Sequence, residues 1–200
     1  VAYETLLEGH RRALHAAAGR ALEALYIGRL EEVYDRLAHH YARTDEAAKA
    51  VEYLTRFAAR AAGMHAHSDA ARALEEALEH VVRLPAGEQD RRLVELAVRL
   101  AGSYYFLGRF RDTVKLLGRH HSRLGQLGDG ALAGRLCFEL AHAHSHLGDN
   151  REAVAWAERA IAEARRADDS ATRGKAHYVL CKESMWVSRL RLGHLPHGSR

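Results

Sequence analysis

Leu140-Ala141-His142-Ala143-His144-Ser145-His146-Leu147-Gly148-Asp149-Asn150-Arg151-Glu152-Ala153 decides the reading of this chain. Apolar and small residues recur three and four apart up to Leu147, as on a buried helix face. Gly148-Asp149 breaks the pattern and a second such run begins. Shifted by 40 residues, the same break falls on Leu107-Gly108-Arg109-Phe110. Further shifts reach Ile27-Gly28-Arg29-Leu30, His67-Ser68-Asp69-Ala70 and Val187-Ser188-Arg189-Leu190. Ahead of the turns, Arg60-Ala61, Leu100-Ala101, Leu140-Ala141 and Leu180-Cys181 share one register. Behind them, Val33, Ala73, Thr113, Ala153 and Gly193 share another. A fixed period of this length marks a stack of repeats rather than one closed core.

Read outward from this stretch, the chain divides into five helix pairs. The expected helices lie near 4–27 with 30–43, 46–66 with 69–84, 89–107 with 110–126, 130–147 with 150–167, and 171–187 with a remnant after 189. The repeat units are therefore 4–43, 46–84, 89–126, 130–167 and an incomplete 171–200, within one domain. Short connections between long helices force antiparallel neighbours. Thr44-Asp45, Ser68-Asp69, Asp129 and Ser170 offer cap oxygens, and Asp149 with Glu152 reads as a capping box. Leu84-Pro85-Ala86-Gly87 stops the second pair, because proline cannot continue a helix. The composition agrees: 48% hydrophobic but only 7% aromatic, rich in Ala and Leu, with two prolines. A sheet would call for many more Val, Ile, Thr and aromatic residues.

Within units three and four, Leu100, Ala101, Tyr104, Gly108, Phe110, Thr113, Leu117 and Leu140, Ala141, His144, Gly148, Ala153, Ala157, Ala160 follow a large–small–aromatic–Gly, then small–large–small order. This order resembles the tetratricopeptide repeat, lengthened from 34 residues to 40. It implies an all-α, right-handed superhelix of antiparallel helix hairpins. Four phrases narrow the resemblance: Leu37-Ala38-His39-His40-Tyr41, Tyr104-Tyr105-Phe106-Leu107-Gly108-Arg109-Phe110, Leu140 to Asp149, and Gly174-Lys175-Ala176-His177-Tyr178-Val179-Leu180. They resemble the C-terminal repeat region of bacterial adenylate/guanylate cyclase-type proteins that also carry an AAA-like ATPase domain. The resemblance spans roughly residues 3–187 and fades after Met185. It implies a regulatory arm of a multidomain signalling protein, with cyclase and ATPase activities belonging to other segments. Val1 is not an initiator residue, which fits a piece of a longer protein.

Composition removes several function classes. The net charge is +4, with 26 arginines and four lysines interspersed among 26 acidic residues. Interspersed charge is a solvated helix surface, whereas a nucleic-acid surface needs a basic stripe. No apolar run reaches the ~18 residues of a membrane span. The two cysteines, Cys137 and Cys181, both fall in an apolar helical register and read as reduced packing residues, as expected in the cytoplasm. No phosphate-cradling Gly-rich loop and no nucleophile elbow appears. His142 and His146 share a helix face, but two imidazoles fall short of the three or four ligands of a zinc site. We therefore expect no catalytic residues, no metal and no cofactor.

The resemblance places the inner face of the superhelix on the first helix of each unit. Its candidate partner-binding residues are Arg99, Tyr105 and Phe106 in unit three, Arg135, Phe138, Glu139, His142, Ser145 and His146 in unit four, and Tyr178, Lys182 and Trp186 in unit five. His15, Tyr26 and His65 belong to earlier units, and Met185 to the last. Rings supply apolar area and the Arg/Lys and Glu/His groups orient a ligand, which suits a protein or peptide, including other domains of the same parent. Packing against the next helix is an equally good reading of Tyr105, Phe106, Phe138 and Tyr178; Tyr41, Tyr104 and Trp156 read as packing outright. Two alternatives stand beside the scaffold. One is a small-molecule-sensing arm with an apolar pocket near Phe106, Phe138 and Trp186. The other is self-association, a homodimer formed through Tyr178, Met185 and Trp186 of the incomplete last unit.

Overall fold

The computed structural model describes residues 2–123 and 128–192, with side chains described for 7–123 and 128–185. Nine α-helices and two 3₁₀ turns account for the regular structure among them. The helices are α1 (Ala2–Leu25), α2 (Tyr34–Tyr41), α3 (Ala47–Gly63), α4 (His67–Val81), α5 (Ala86–Phe106), α6 (Phe110–His120), α7 (Gly130–Leu147), α8 (Asn150–Arg166) and α9 (Ser170–Leu192). The all-α class and the antiparallel pairing expected from the period are present. The chain forms two compact units, residues 1–107 and 108–200.

In the first unit α1 packs on α2, α2 on α3, α3 on α4 and α4 on α5. Small residues make this possible: Ala50, Ala58, Ala61, Ala70, Ala73 and Ala77 are all buried. Helix axes close up where side chains are no larger than a methyl group. Under α1 the core turns polar. Glu23 Oε2 accepts hydrogen bonds from Tyr41 Oη at 2.8 Å and Lys49 Nζ at 2.8 Å, and Glu23 Oε1 accepts from Tyr53 Oη at 2.6 Å. The two tyrosine rings stack 5.3 Å apart. Burial works to raise the Glu23 carboxyl, but these three donors outweigh it and hold the carboxyl below its ordinary range. Burial opposes the charge on Lys49 as well; the bonds to Glu23 and Tyr41 prevail and push it up to about 12.

In the second unit α6 packs on α7, α7 on α8, and α9 lies against both α7 and α8. Ala141, Ala153, Ala157 and Val179 form one buried cluster and Cys137, Ala160, Ile161 and Ala176 another. At Gly134 α7 lies tightly against α8, since a Cβ there would lie 3.3 Å from Ala164 N and 3.5 Å from Ala160 O.

The repeat register survives in burial in part, failing at Arg60 and Cys181, which are exposed, and at Leu180, which is half-buried. Ala61, Leu100, Ala101, Leu140 and Ala141 are buried, as are Val33, Ala73, Thr113 and Ala153. The turns follow it only in part. Gly28, Gly108 and Gly148 all adopt left-handed backbone, with φ of 81°, 67° and 81°. Where the register holds serine, the expected turn fails. Around Ser68 it moves back: His65 takes φ 62° and Ala66 N donates to Ala61 O at 2.8 Å, so α4 already begins at His67. Around Ser188 there is no turn, because α9 continues to Leu192. Glycine enters left-handed backbone without a Cβ penalty and so fixes the turn at its own position; where the register holds serine the turn is not fixed there, and His65 takes the left-handed residue in its place.

Other expectations are corrected in the same way. The second helix of unit one is not continuous over 30–43: a 3₁₀ turn at Leu30–Val33 precedes the two-turn α2. Helix α5 starts at Ala86 rather than 89, because Pro85 needs no amide hydrogen at a helix start and is already in extended geometry (φ −54°, ψ 138°). Asp129 caps α7 as expected, its Oδ1 accepting from Leu132 N at 3.0 Å. Asp149 makes no side-chain cap; its Oδ2 meets His144 Nδ1 at 3.1 Å instead. Asp169, one residue before Ser170, caps α9 through Thr172. Ser68-Asp69 lies inside the first turn of α4, and Thr44 Oγ1 accepts from Glu46 N at 3.1 Å just ahead of α3. Cys137 is buried but Cys181 is exposed, because the inward side of α9 runs through Ala176, Val179 and Glu183. The end of the expected helix at 124–126, the tail 193–200 and the side chain of Trp186 lie outside the described residues.

Candidate functional site

Helix α7 buries Leu132, Leu136, Leu140 and Ala141. The residues between these, spaced three and four apart, bring Arg135, Phe138, Glu139, His142 and His146 along the rest of its surface. Helix α9 adds Lys175, Tyr178 and Lys182. Six of the sequence-derived candidates, Phe138, Glu139, His142, Ser145, His146 and Lys182, are thereby tied to one another through the α7–α9 joint.

Phe138 is half-buried and packs against both apolar clusters, with Lys175 Nζ 5.8 Å from its ring centroid. It is therefore as much core as surface. His142 stacks on it at 5.3 Å and meets His146 edge-on at 5.0 Å. His146 in turn stacks on Phe110 of α6 at 4.5 Å, with the planes 7° apart. Burial pushes the Glu139 carboxyl up to about 7, against the pull of Lys175. Burial also pushes His142 down to about 4, helped by His146, Lys182 and Lys175. His146 is lowered by burial and by Lys182, with Glu183 acting against them. The strip thus presents neutral imidazole and a carboxyl that titrates near neutrality, flanked by two ammonium groups.

Two candidates have other employment. Ser145 Oγ donates to Glu183 Oε1 at 2.5 Å, and both residues are buried. With its amide turned to donate, Asn150 reaches Gly148 O at 3.0 Å and Glu183 Oε2 at 3.2 Å. The Ser145 hydroxyl therefore ties α9 to α7, and the Asn150 amide ties Glu183 to the α7–α8 turn. Arg135 Nε donates to Ala131 O at 3.3 Å instead of pairing with Glu139. A cleft of about 540 Å³ opens beside these residues, between His146, Gly148, Asn150 and Lys182. Tyr178 stands 67% exposed and Met185 65% exposed.

The unit-three candidates belong to the first compact unit. Arg99 is exposed and Tyr105 half-buried. Phe106 is 64% exposed, yet one face of its ring lies on His67 at 4.0 Å, with Tyr105 edge-on at 5.2 Å. Neither ring nitrogen of His67 has a hydrogen-bond partner although both are buried. Of the earlier candidates, His15 faces His40, Tyr26 lies under Arg29, and His65 forms the displaced turn. Tyr41, Tyr104 and Trp156 pack as expected.

Sequence reasoning missed Lys175, Glu183 and the Glu23 cluster. Glu183 was legible in principle, since Ala176, Val179 and Glu183 keep helical spacing on the inward side of α9. Glu23 was not, because its donors Tyr41, Lys49 and Tyr53 lie 18 to 30 residues away.

No group of three His, Cys, Asp or Glu is placed to hold a metal ion among the described residues. Burial pushes the Cys137 thiol up to about 11, so it is not a thiolate at neutral pH. No helix among them is long and apolar enough to cross a membrane.

The sequence matches no family model and no curated protein. Among solved structures, the chain is similar to the crystal structure of aspartyl phosphate phosphatase F from Bacillus subtilis. The TM-score is 0.66 at 14% identity, over 94% of this chain and 48% of that one. At such identity the likeness concerns the fold alone. This chain has the all-α, helical-repeat architecture of that phosphatase and spans about half its length.

Proposed function

We propose that this chain is a non-catalytic scaffold that binds a protein or peptide along the α7–α9 strip of its second unit. The observation that carries the reading is the set of polar groups already held partly out of water: Glu139 and His142, both displaced from their ordinary titration by burial, beside Lys175 and Lys182 of α9, the helix that also carries the exposed ring of Tyr178. A ligand segment covering them meets groups whose desolvation cost is already met by the fold, so hydrogen bonds and ring contact appear as affinity. The likeness to aspartyl phosphate phosphatase F supports a helical-repeat framework for such a face.

The sequence resemblance supports a finer reading, that the chain serves as the regulatory arm of a bacterial cyclase- and ATPase-linked signalling protein in the cytoplasm. Its partner is then another domain of that protein or a regulator of it. The test is a pull-down from lysate with the chain beside a Tyr178→Ala/Lys182→Glu variant, with helicity checked by circular dichroism. Both substituted side chains lie outside the packed core, so the variant keeps its fold. Proteins retained by the natural chain and lost by the variant are the expected result. Equal retention by both, or none by either, overturns the assignment of this strip.

A further inference from the structure

Four arginines meet in a cleft of about 440 Å³ within the first unit. Arg11 and Arg12 come from α1, Arg43 from the loop before α3, and Arg83 from the loop before α5. Where their hydrogen bonds go decides how much of their charge is available. Arg12 is committed to carboxylates: Nη1 lies 3.1 Å from Asp45 Oδ1 and Nη2 3.9 Å from Glu8 Oε1. Among the described residues, Arg43 and Arg83 are not. Arg43 Nη1 donates to the His39 carbonyl at 2.7 Å. Arg83 Nη1 donates to the Thr44 carbonyl at 3.5 Å, and its other terminal nitrogen meets His80 Nδ1. Burial and Arg83 hold His80 below its ordinary range, so that nitrogen is a neutral acceptor. Neutral acceptors orient a guanidinium without cancelling its charge. Arg11 is exposed, and no carboxylate pairs with it among the described residues. Among the described residues that line the cleft, four positive charges therefore face two negative ones, Glu8 and Asp45, which leaves a surplus of two; Glu76 and Glu79 act on His80 from outside the lining.

We infer that this cleft binds a phosphate monoester dianion. The surplus matches the two charges of the ligand. Guanidinium forks entering from one helix and two loops suit a tetrahedral group with three equivalent oxygens; a carboxylate fills one fork and leaves the others. Glu8 and Asp45 interrupt the positive surface on the α1 side, which keeps the field local and disfavours the extended backbone of a nucleic acid. The phosphate comes either from a free metabolite or from a phosphorylated side chain, and the cleft accommodates both chemistries. All its residues belong to the first unit, so the site stands or falls independently of the α7–α9 strip.

The test is calorimetric titration of the whole chain with inorganic phosphate, phenyl phosphate, and a phosphoserine peptide beside its unphosphorylated twin. Arg11→Gln is the decisive variant, because Arg11 is exposed and makes no hydrogen bond among the described residues that the fold would lose; Arg43→Gln is the second and Arg151→Gln, on α8, the control. Phosphorylated probes are expected to bind in the millimolar range or tighter. Loss of one charged donor should weaken them about tenfold, with Arg151→Gln binding like the natural chain. A phosphopeptide much preferred over inorganic phosphate identifies a phosphorylated protein as the source; equal affinities identify a free phosphate. No heat with any phosphorylated probe at about 10 mM, or affinity unchanged in both Arg11→Gln and Arg43→Gln, overturns the inference.

Discussion

Gly19 sits against the ring of Tyr41, where a Cβ would come within 2.8 Å of Cζ and 2.9 Å of Cε2. That ring has no room to retreat, since it stacks on Tyr53 and its hydroxyl is held by Glu23 and Lys49. Gly19→Ala should therefore destabilise the chain by about 1–3 kcal/mol in urea unfolding, despite its better helix propensity. Glu139 and His142 make a second residue-scale prediction. With the folded carboxyl at about 7, above its unfolded value, Glu139 contributes most below pH 4.5 and loses stability as pH rises toward 7. With the folded imidazole at about 4, below its unfolded value, His142 loses stability as pH falls from 6.5 toward 4. The two slopes oppose each other over the same window. Glu139→Gln should leave stability rising with pH between 4.5 and 6.5, and His142→Asn should leave it falling. Parallel profiles for the natural chain and both variants would count against burial as the cause. At this scale the residue types of the strip were legible as helical spacing. Their titration was not, because it depends on how far the packed tertiary structure excludes water.

The helices obey the turn chemistry of single residues. Left-handed glycine ends a helix at Gly108 and Gly148, and the chain shifts or omits the turn where the repeat register places Ser68 and Ser188. Gly148→Ser should cost about 1–2 kcal/mol, because φ 81° there is strained for any residue with a Cβ. Ser68→Gly should cost less, about 0.5–1 kcal/mol, as an ordinary glycine inside a helix. Thermal melts of the two variants check the order, and an equal or reversed ranking would show that the Gly148 turn is not the constraint. Gly148 was readable as a stop because glycine followed by Asp149 interrupts an unbroken apolar pattern. The continuation of α9 was not, because the 40-residue register suggested a turn that local propensity does not support.

At the scale of the molecule, stability is expected to be a sum of neighbouring contacts, as in repeat proteins. Gly134→Val would force bulk against the backbone of Ala164. Hydrogen exchange read by mass spectrometry should then show lost protection in α7, α8 and α9, while α3 and α4 exchange as before. Uniform loss along the chain would mean that the two compact units unfold as one.

The all-α class, the pairing of helices and the boundaries of α7 follow from the sequence alone. A hydrophobic period of 3.6 with glycine punctuation is written into local residue order, and chain connectivity makes consecutive helices neighbours. Tertiary structure alone decided which polar side chains meet: Glu23 with Tyr41, Lys49 and Tyr53, Ser145 with Glu183, and the four arginines that line the cleft in the first unit. Those groups are brought together by the rotation of each helix about its axis. Side-chain volumes across each contact set that rotation, and a repeat period does not encode them.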